Sequence, residues 1–224
     1  MDLINQMDNL TRRTRRREFE DGLMDYVLAL TFLFVGLLGG FFLSPAGLRW
    51  YFTQLLRDRE VTIIAGLGVF GLFLLILFGA RRLIAWVRRQ TLWKNRGFVK
   101  SLRWQVSTRV NLLGSAVMIA MLIAAFILMR TGLVSSDFVL HTLVAAAGVA
   151  TGIVLFGVGR ELDLGRYRRV GIIGGAVSAL IIPLPLSFSN AWLTLGIGWT
   201  IVFAVSGTWA LRKSLAALGK TEND

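Results

Sequence analysis

Cysteine is absent from all 224 residues, and histidine occurs once. Without cysteine there can be no disulfide, no cysteine-ligated zinc, no iron–sulfur cluster and no thiol nucleophile. A single histidine rules out a histidine-rich metal site. Proline is scarce, with three residues, and two of them, Pro183 and Pro185, disrupt the end of one apolar stretch. Acid is scarce as well: 13 Asp and Glu stand against 25 Lys and Arg, a formal charge of +12. No H-E-x-x-H, no Ser/His/Asp set and no phosphate-gripping loop is present. The chain therefore reads as non-enzymatic and without a cofactor.

What is abundant is apolar length. Hydrophobic residues make up 55% of the chain, and its mean hydropathy is +0.64. Six stretches cover 22–43, 61–80, 110–129, 139–159, 170–188 and 192–211. A helix needs roughly 20 mostly apolar residues to cross the hydrocarbon core, and each stretch reaches that length. The expected fold is all-α: a polytopic membrane protein with six transmembrane helices. The first stretch reads as a retained helix, because Phe42-Leu43-Ser44-Pro45-Ala46 is a poor cleavage site. The expected organisation is a basic arm 1–21, a membrane domain 22–211 with a basic loop 81–109, and a tail 212–224.

Lys and Arg divide unevenly between alternate loops. Twenty-one lie in the arm, the 81–109 loop, the segment 160–169 and the tail; only Arg49, Arg57, Arg59 and Arg130 lie on the other side. The positive-inside rule then predicts both termini in the cytoplasm. Trp50, Tyr51 and Trp192 fall at outer span ends, and Tyr26, Trp86, Trp93, Trp104, Tyr167 and Trp209 near inner ends. Trp199 falls inside the sixth span, to pack or to line a pocket. Basic residues between apolar spans predict contact with anionic headgroups and membrane lipids, and with a soluble or membrane protein partner, rather than with nucleic acid.

In 81–89, Leu83, Ile84, Trp86 and Val87 gather on one helical side and the arginines mostly on the other. This predicts either a second span running past the membrane or a helix on its inner surface. Residues 48–56 predict a short interfacial helix on the outer leaflet. Arg17-Glu18-Phe19-Glu20-Asp21-Gly22 and Arg160-Glu161-Leu162-Asp163-Leu164-Gly165 are alike and enter from the same side, as a parallel duplication would.

Gly66-Leu67-Gly68-Val69-Phe70-Gly71 matches the dinucleotide pattern but lies within a span, with no strand before it. These glycines are expected to permit close helix contact or a bend. Gly148 and Gly152 in the fourth span, and Gly171 and Gly175 in the fifth, are small-x-x-x-small pairs expected to pack helices. His141, Ala145, Gly148 and Gly152 share one face, which would turn the lone histidine into the bundle as a hydrogen-bonded residue or a pH sensor. Glu18, Asp21 and Asp25 follow i, i+3, i+7 spacing and are expected on one helix face, with Arg17 and Asp21 as an i, i+4 pair. Asp25 lies deepest. It needs a partner, drawn from Arg81, Arg82, Arg166, Arg168 or Arg169, or else it is a functional carboxylate at an inner vestibule.

The stretch Glu18-Phe19-Glu20-Asp21-Gly22-Leu23-Met24-Asp25 resembles the E-F-x-D-G-L-x-D opening, after a basic arm, of uncharacterised prokaryotic multi-span membrane proteins. The resemblance implies a six-helix membrane protein and carries over no activity. The function expected is an accessory or anchoring membrane subunit with a basic cytoplasmic face. The alternative is a small transporter or permease-type subunit.

Overall fold

The computed structural model describes residues 16, 19–88, 90 and 107–221. The expectations placed on Glu18, on Arg17 and on 91–106 of the basic loop lie outside the described residues. Seven helices run through these residues, with no strand among them. They are α1 (Leu23–Phe42), α2 (Pro45–Arg57), α3 (Arg59–Val87), α4 (Thr108–Arg130), α5 (Ser136–Glu161), α6 (Gly165–Ala179) and α7 (Phe188–Thr221). Five are long and apolar enough to cross a membrane: α1, α3, α4, α5 and the Phe188–Ala216 part of α7.

Local chemistry sets several boundaries. Ser44 caps α2, its Oγ accepting from the Gly47 amide at 3.0 Å, and Pro45 occupies the first turn, where its missing N–H costs nothing. α2 is the short helix expected around 48–56; among its residues only Gly47 is buried. Asp58 starts α3 by accepting from the Val61 amide at 3.4 Å. With 29 residues α3 rises about 43 Å, more than the ~30 Å hydrocarbon core. It therefore carries the second apolar stretch on through Arg81, Arg82 and Trp86 as one helix.

The stretch 170–188 departs from expectation. Its helix, α6, begins at Gly165 and stops at Ala179, only 15 residues, and 180–187 are turns and extended chain. Pro183 explains the stop, since its ring would clash with the carbonyl four residues earlier, that of Ala179. Pro185 and the restricted residues before each proline then prevent the helix from resuming. Ile181 anchors the irregular segment in the core, fully buried, while Leu180 and Pro183 to Pro185 are exposed.

Four helices form the packed body. α1 lies along α7, α5 lies along α6, and both pairs meet around Val144, Ile181, Leu195, Trp199 and Phe203. α1 and α7 touch backbone to backbone at Gly36 and Gly196, where an added Cβ on Gly36 would sit 2.6 Å from the Gly196 Cα. Thr200 Oγ1 donates across the same seam to the Ala29 carbonyl at 3.1 Å. α4 leans on α5, while α3 is peripheral: 6% of its apolar window is buried, against 44% for α5. Phe34 and Phe73, stacked at 4.7 Å, join α3 to α1 midway along.

Candidate functional site

The starts of α1 and α6, the end of α3 and the later turns of α7 meet at one end of the bundle, and the ionisable side chains meet there. The local cause is Gly22. It caps α1 in the left-handed region, φ +76°, and a Cβ there would also lie 2.5 Å from the Gly207 carbonyl oxygen of α7. Only glycine meets both demands cheaply. The turn breaks the helix between Asp21 and Asp25, so they do not continue one helix face as their spacing predicts. Each finds a separate arginine instead.

Asp21 is gripped by Arg88, just past α3: Nε donates to Oδ2 at 2.5 Å and Nη2 to Oδ1 at 2.9 Å. Oδ1 also accepts from the Leu23 amide at 3.0 Å, placing an anion at the start of α1. A two-pronged guanidinium–carboxylate contact of this kind fixes orientation as well as distance.

Asp25 is fully buried. Its Oδ2 accepts from Arg166 Nη1 at 2.6 Å and its Oδ1 from the Tyr167 hydroxyl at 2.5 Å. Arg166 further donates to the Ser206 carbonyl at 3.2 Å and to the Phe19 carbonyl. Phe19 stands edge-on to the Tyr167 ring, centroids 5.4 Å apart, and closes the cluster from the arm side. Each buried charge thus has an opposite charge and further hydrogen bonds, the condition under which a buried pair is tolerated. On the surface above, Arg16 bridges Glu20 at 2.6 Å and Asp163 at 3.6 Å, and Arg168 holds Asp163 at 2.9 Å. Glu20 of the first hexapeptide and Asp163 of the second are therefore linked through Arg16. The backbones of the two hexapeptides differ: the left-handed residue is Gly22 in one and Asp163, φ +53°, in the other.

His141 lies far from this cluster, towards the opposite end of α5. It is buried, and its Nε2 donates to the Leu186 carbonyl at 2.6 Å. It thereby satisfies a carbonyl of the irregular 180–187 segment. Along the same face, Gly152 lies against α6; a Cβ there would come within 2.6 Å of the Gly171 carbonyl and 3.0 Å of the Gly175 Cα. Gly148 opens space for Ser178, which donates to the Gly174 carbonyl at 2.7 Å and accepts from Trp199 Nε1 at 3.0 Å. Trp199, buried and stacked on Phe32 at 5.2 Å, packs rather than lining an open path. The α3 glycines behave otherwise. Nothing lies within 4 Å of a Cβ at Gly66, Gly68 or Gly71, so the close contact expected of them is missing.

A cavity of about 240 Å³ opens between α1, α5 and α7, bounded by Thr31, Phe32, Gly36, Thr151 and Trp192. Its two threonines spend their hydroxyls on their own helices, on the Val27 and Ala147 carbonyls. The lining left over is apolar apart from the Trp192 indole, whose Nε1 is buried without a hydrogen-bond partner. Among the described residues no group of three or more His, Asp or Glu gathers as a metal site would.

No protein-family model, curated protein or solved structure matches the chain.

Sequence reasoning placed Arg166 among the partners of Asp25. It missed Arg88 as the partner of Asp21 and Tyr167 as a donor to Asp25. Tyr167 carried a signal that was read otherwise: an aromatic at an inner span end suits a headgroup anchor as well as a buried donor. Arg88, 67 residues from Asp21, carried none.

Proposed function

We propose that this chain is a non-enzymatic accessory or anchoring subunit of a prokaryotic cytoplasmic membrane. It crosses six times, with both termini inside, and presents a basic inner face to a partner or to anionic lipid. The sixth crossing is supplied by α6 together with the folded-back segment 180–187.

The observation that carries this reading is the closed state of the charged cluster. The Asp21–Arg88 and Asp25–Arg166 pairs are buried and fully engaged, and tie four elements together at one end. A transport path needs ionisable or polar groups reaching the middle of the membrane. Here the middle holds Trp199, Phe203 and Phe32, with an apolar cavity beside them. The unequal burial supports the same reading. A compact α1–α5–α6–α7 body stands with α3 and α4 largely uncovered, which suits a component that meets lipid or other spans.

The test is reconstitution of the full chain into liposomes, with ion and solute flux measured beside a mild-detergent pull-down from the native membrane. The expected outcome is no flux above empty liposomes and a reproducible membrane or soluble partner. Flux that is lost in Asp25→Asn while folding persists would replace this reading with the transporter one.

A further inference from the structure

The charged groups at the basic end divide into two populations. The acids described there are largely taken: Asp21 by Arg88, Asp25 by Arg166, Asp163 by Arg168 and Arg16, and Glu20 by Arg16. Arg169, in the first turn of α6, and Lys213, in the later turns of α7, have no carboxylate within ion-pair distance among the described residues. Both converge on one exposed indole. The Arg169 guanidinium carbon and the Lys213 ammonium nitrogen each lie 5.6 Å from the Trp209 ring centroid, and Trp209 is 52% exposed.

Each cation is held by the ring quadrupole, which offsets its charge only in part. An anion beside the ring would neutralise them. The depth of the cluster says which anion. Trp209 lies 21 residues beyond Phe188, the start of α7, or about 31 Å along the helix, close to the thickness of the hydrocarbon core. An indole at that level is at the border between acyl chains and headgroups, its usual station. The anion within reach there is a lipid phosphate.

We infer that Arg169, Trp209 and Lys213 form a headgroup site for an anionic phospholipid of the inner leaflet. The inference rests on the orientation in the reading above and deepens it by naming one lipid-binding site on the basic face. The guanidinium and ammonium hold the phosphate, and the indole packs against the upper acyl chain and glycerol. Arg81 and Arg82, exposed on α3, have the same charge without this convergence.

The experiment is native mass spectrometry of the full chain in mild detergent, titrated with phosphatidylglycerol or with phosphatidylcholine of the same acyl chains. The native chain should retain one phosphatidylglycerol in preference to phosphatidylcholine. Arg169→Gln with Lys213→Gln should weaken that binding about thirtyfold, each basic residue at an anionic surface being worth about a factor of five. Arg81→Gln with Arg82→Gln, removing the same charge, should leave it unchanged. The exchange Arg169→Lys with Lys213→Arg should retain it, which separates lost charge from lost folding. Equal loss in both Gln pairs means diffuse attraction and overturns the site, as does retention in the 169/213 pair. Displacement of the lipid by inorganic phosphate would make this a free-phosphate site and also overturn the proposal. The lipid count in detergent does not depend on orientation, so a failed topology and a failed site give different results.

Discussion

Asp25 shows how a carboxylate is kept near a membrane interior. Two donors from α6, Arg166 and Tyr167, hold it, the Ser206 and Phe19 carbonyls hold its arginine, and removing one charge strands the other. Asp25→Asn leaves Arg166 buried with only carbonyl acceptors, so the folded state should lose about 3–5 kcal/mol. Unfolding of the reconstituted protein would measure this. Adding Arg166→Gln to Asp25→Asn should recover part of the loss, because the stranded charge then disappears. A double variant no better than the single one would show that the pair is not coupled. Ser178 makes a second residue-scale case. It is the acceptor for the buried Trp199 N–H, so Ser178→Ala should cost about 1–3 kcal/mol although the hydroxyl is small. Trp199→Phe should then cost less in the Ser178→Ala background than in the native chain, since the donor it removes is already unpaired and the cavity cost is common to both.

Between helices, the same residue type has opposite consequences on different elements. Gly152 sits where α5 and α6 touch backbone to backbone, and Gly71 on α3 has open space around it. Gly152→Leu should drive α5 and α6 apart and cost about 1–3 kcal/mol or more, read as a lower melting temperature in detergent. Gly71→Leu should stay within about 0.5 kcal/mol of the native chain. Equal damage from both would mean that α3 is covered in the membrane by something this structure does not hold. The stop of α6 belongs to this scale too. It follows from two prolines, and His141 then caps the freed Leu186 carbonyl. His141→Phe should therefore loosen 180–187 without disturbing the Asp25 cluster; faster amide exchange confined to that segment would show it.

At the scale of the whole molecule the question is how many times the chain crosses. Six crossings put Asp224 and the basic 160–169 segment on one side, and the segment after Arg57 and the turn at Pro185 on the other. Reporter fusions at Asp224 and after Arg57 should therefore give opposite signals, and a fusion after Pro185 should agree with the one after Arg57. A crossing lost at α6 would reverse the signal at Asp224 and place the tail outside. The unequal burial of the helices bears on stability as well. Truncating apolar side chains on α3 should change little, whereas truncating Phe203 or Val144 in the packed body should be costly.

The sequence by itself determined the all-helical class and the existence of apolar segments of membrane-crossing length, because both depend only on local composition and period. It also pointed to Gly148, Gly152 and Gly171 as packing positions and to a cation for Asp25, but it read Gly66, Gly68 and Gly71 the same way and overlooked Gly36 and Gly196. Distance in sequence hid the rest. That Arg88 reaches Asp21, that Tyr167 turns inward to Asp25, and that Gly22 rather than a continuous helix separates the two carboxylates were decided when α1, α3, α6 and α7 converged. So was the contrast between Gly152, pressed on Gly171, and Gly71, facing nothing: a glycine's role depends on what lies opposite it. The shortened α6 was half legible, since the prolines marked a break. Only the packed structure showed that the broken segment is pinned at Ile181 in the core and at Leu186 by a histidine 45 residues away. Local rules fix what a segment can do, and the three-dimensional meeting of segments fixes which of those options is stable.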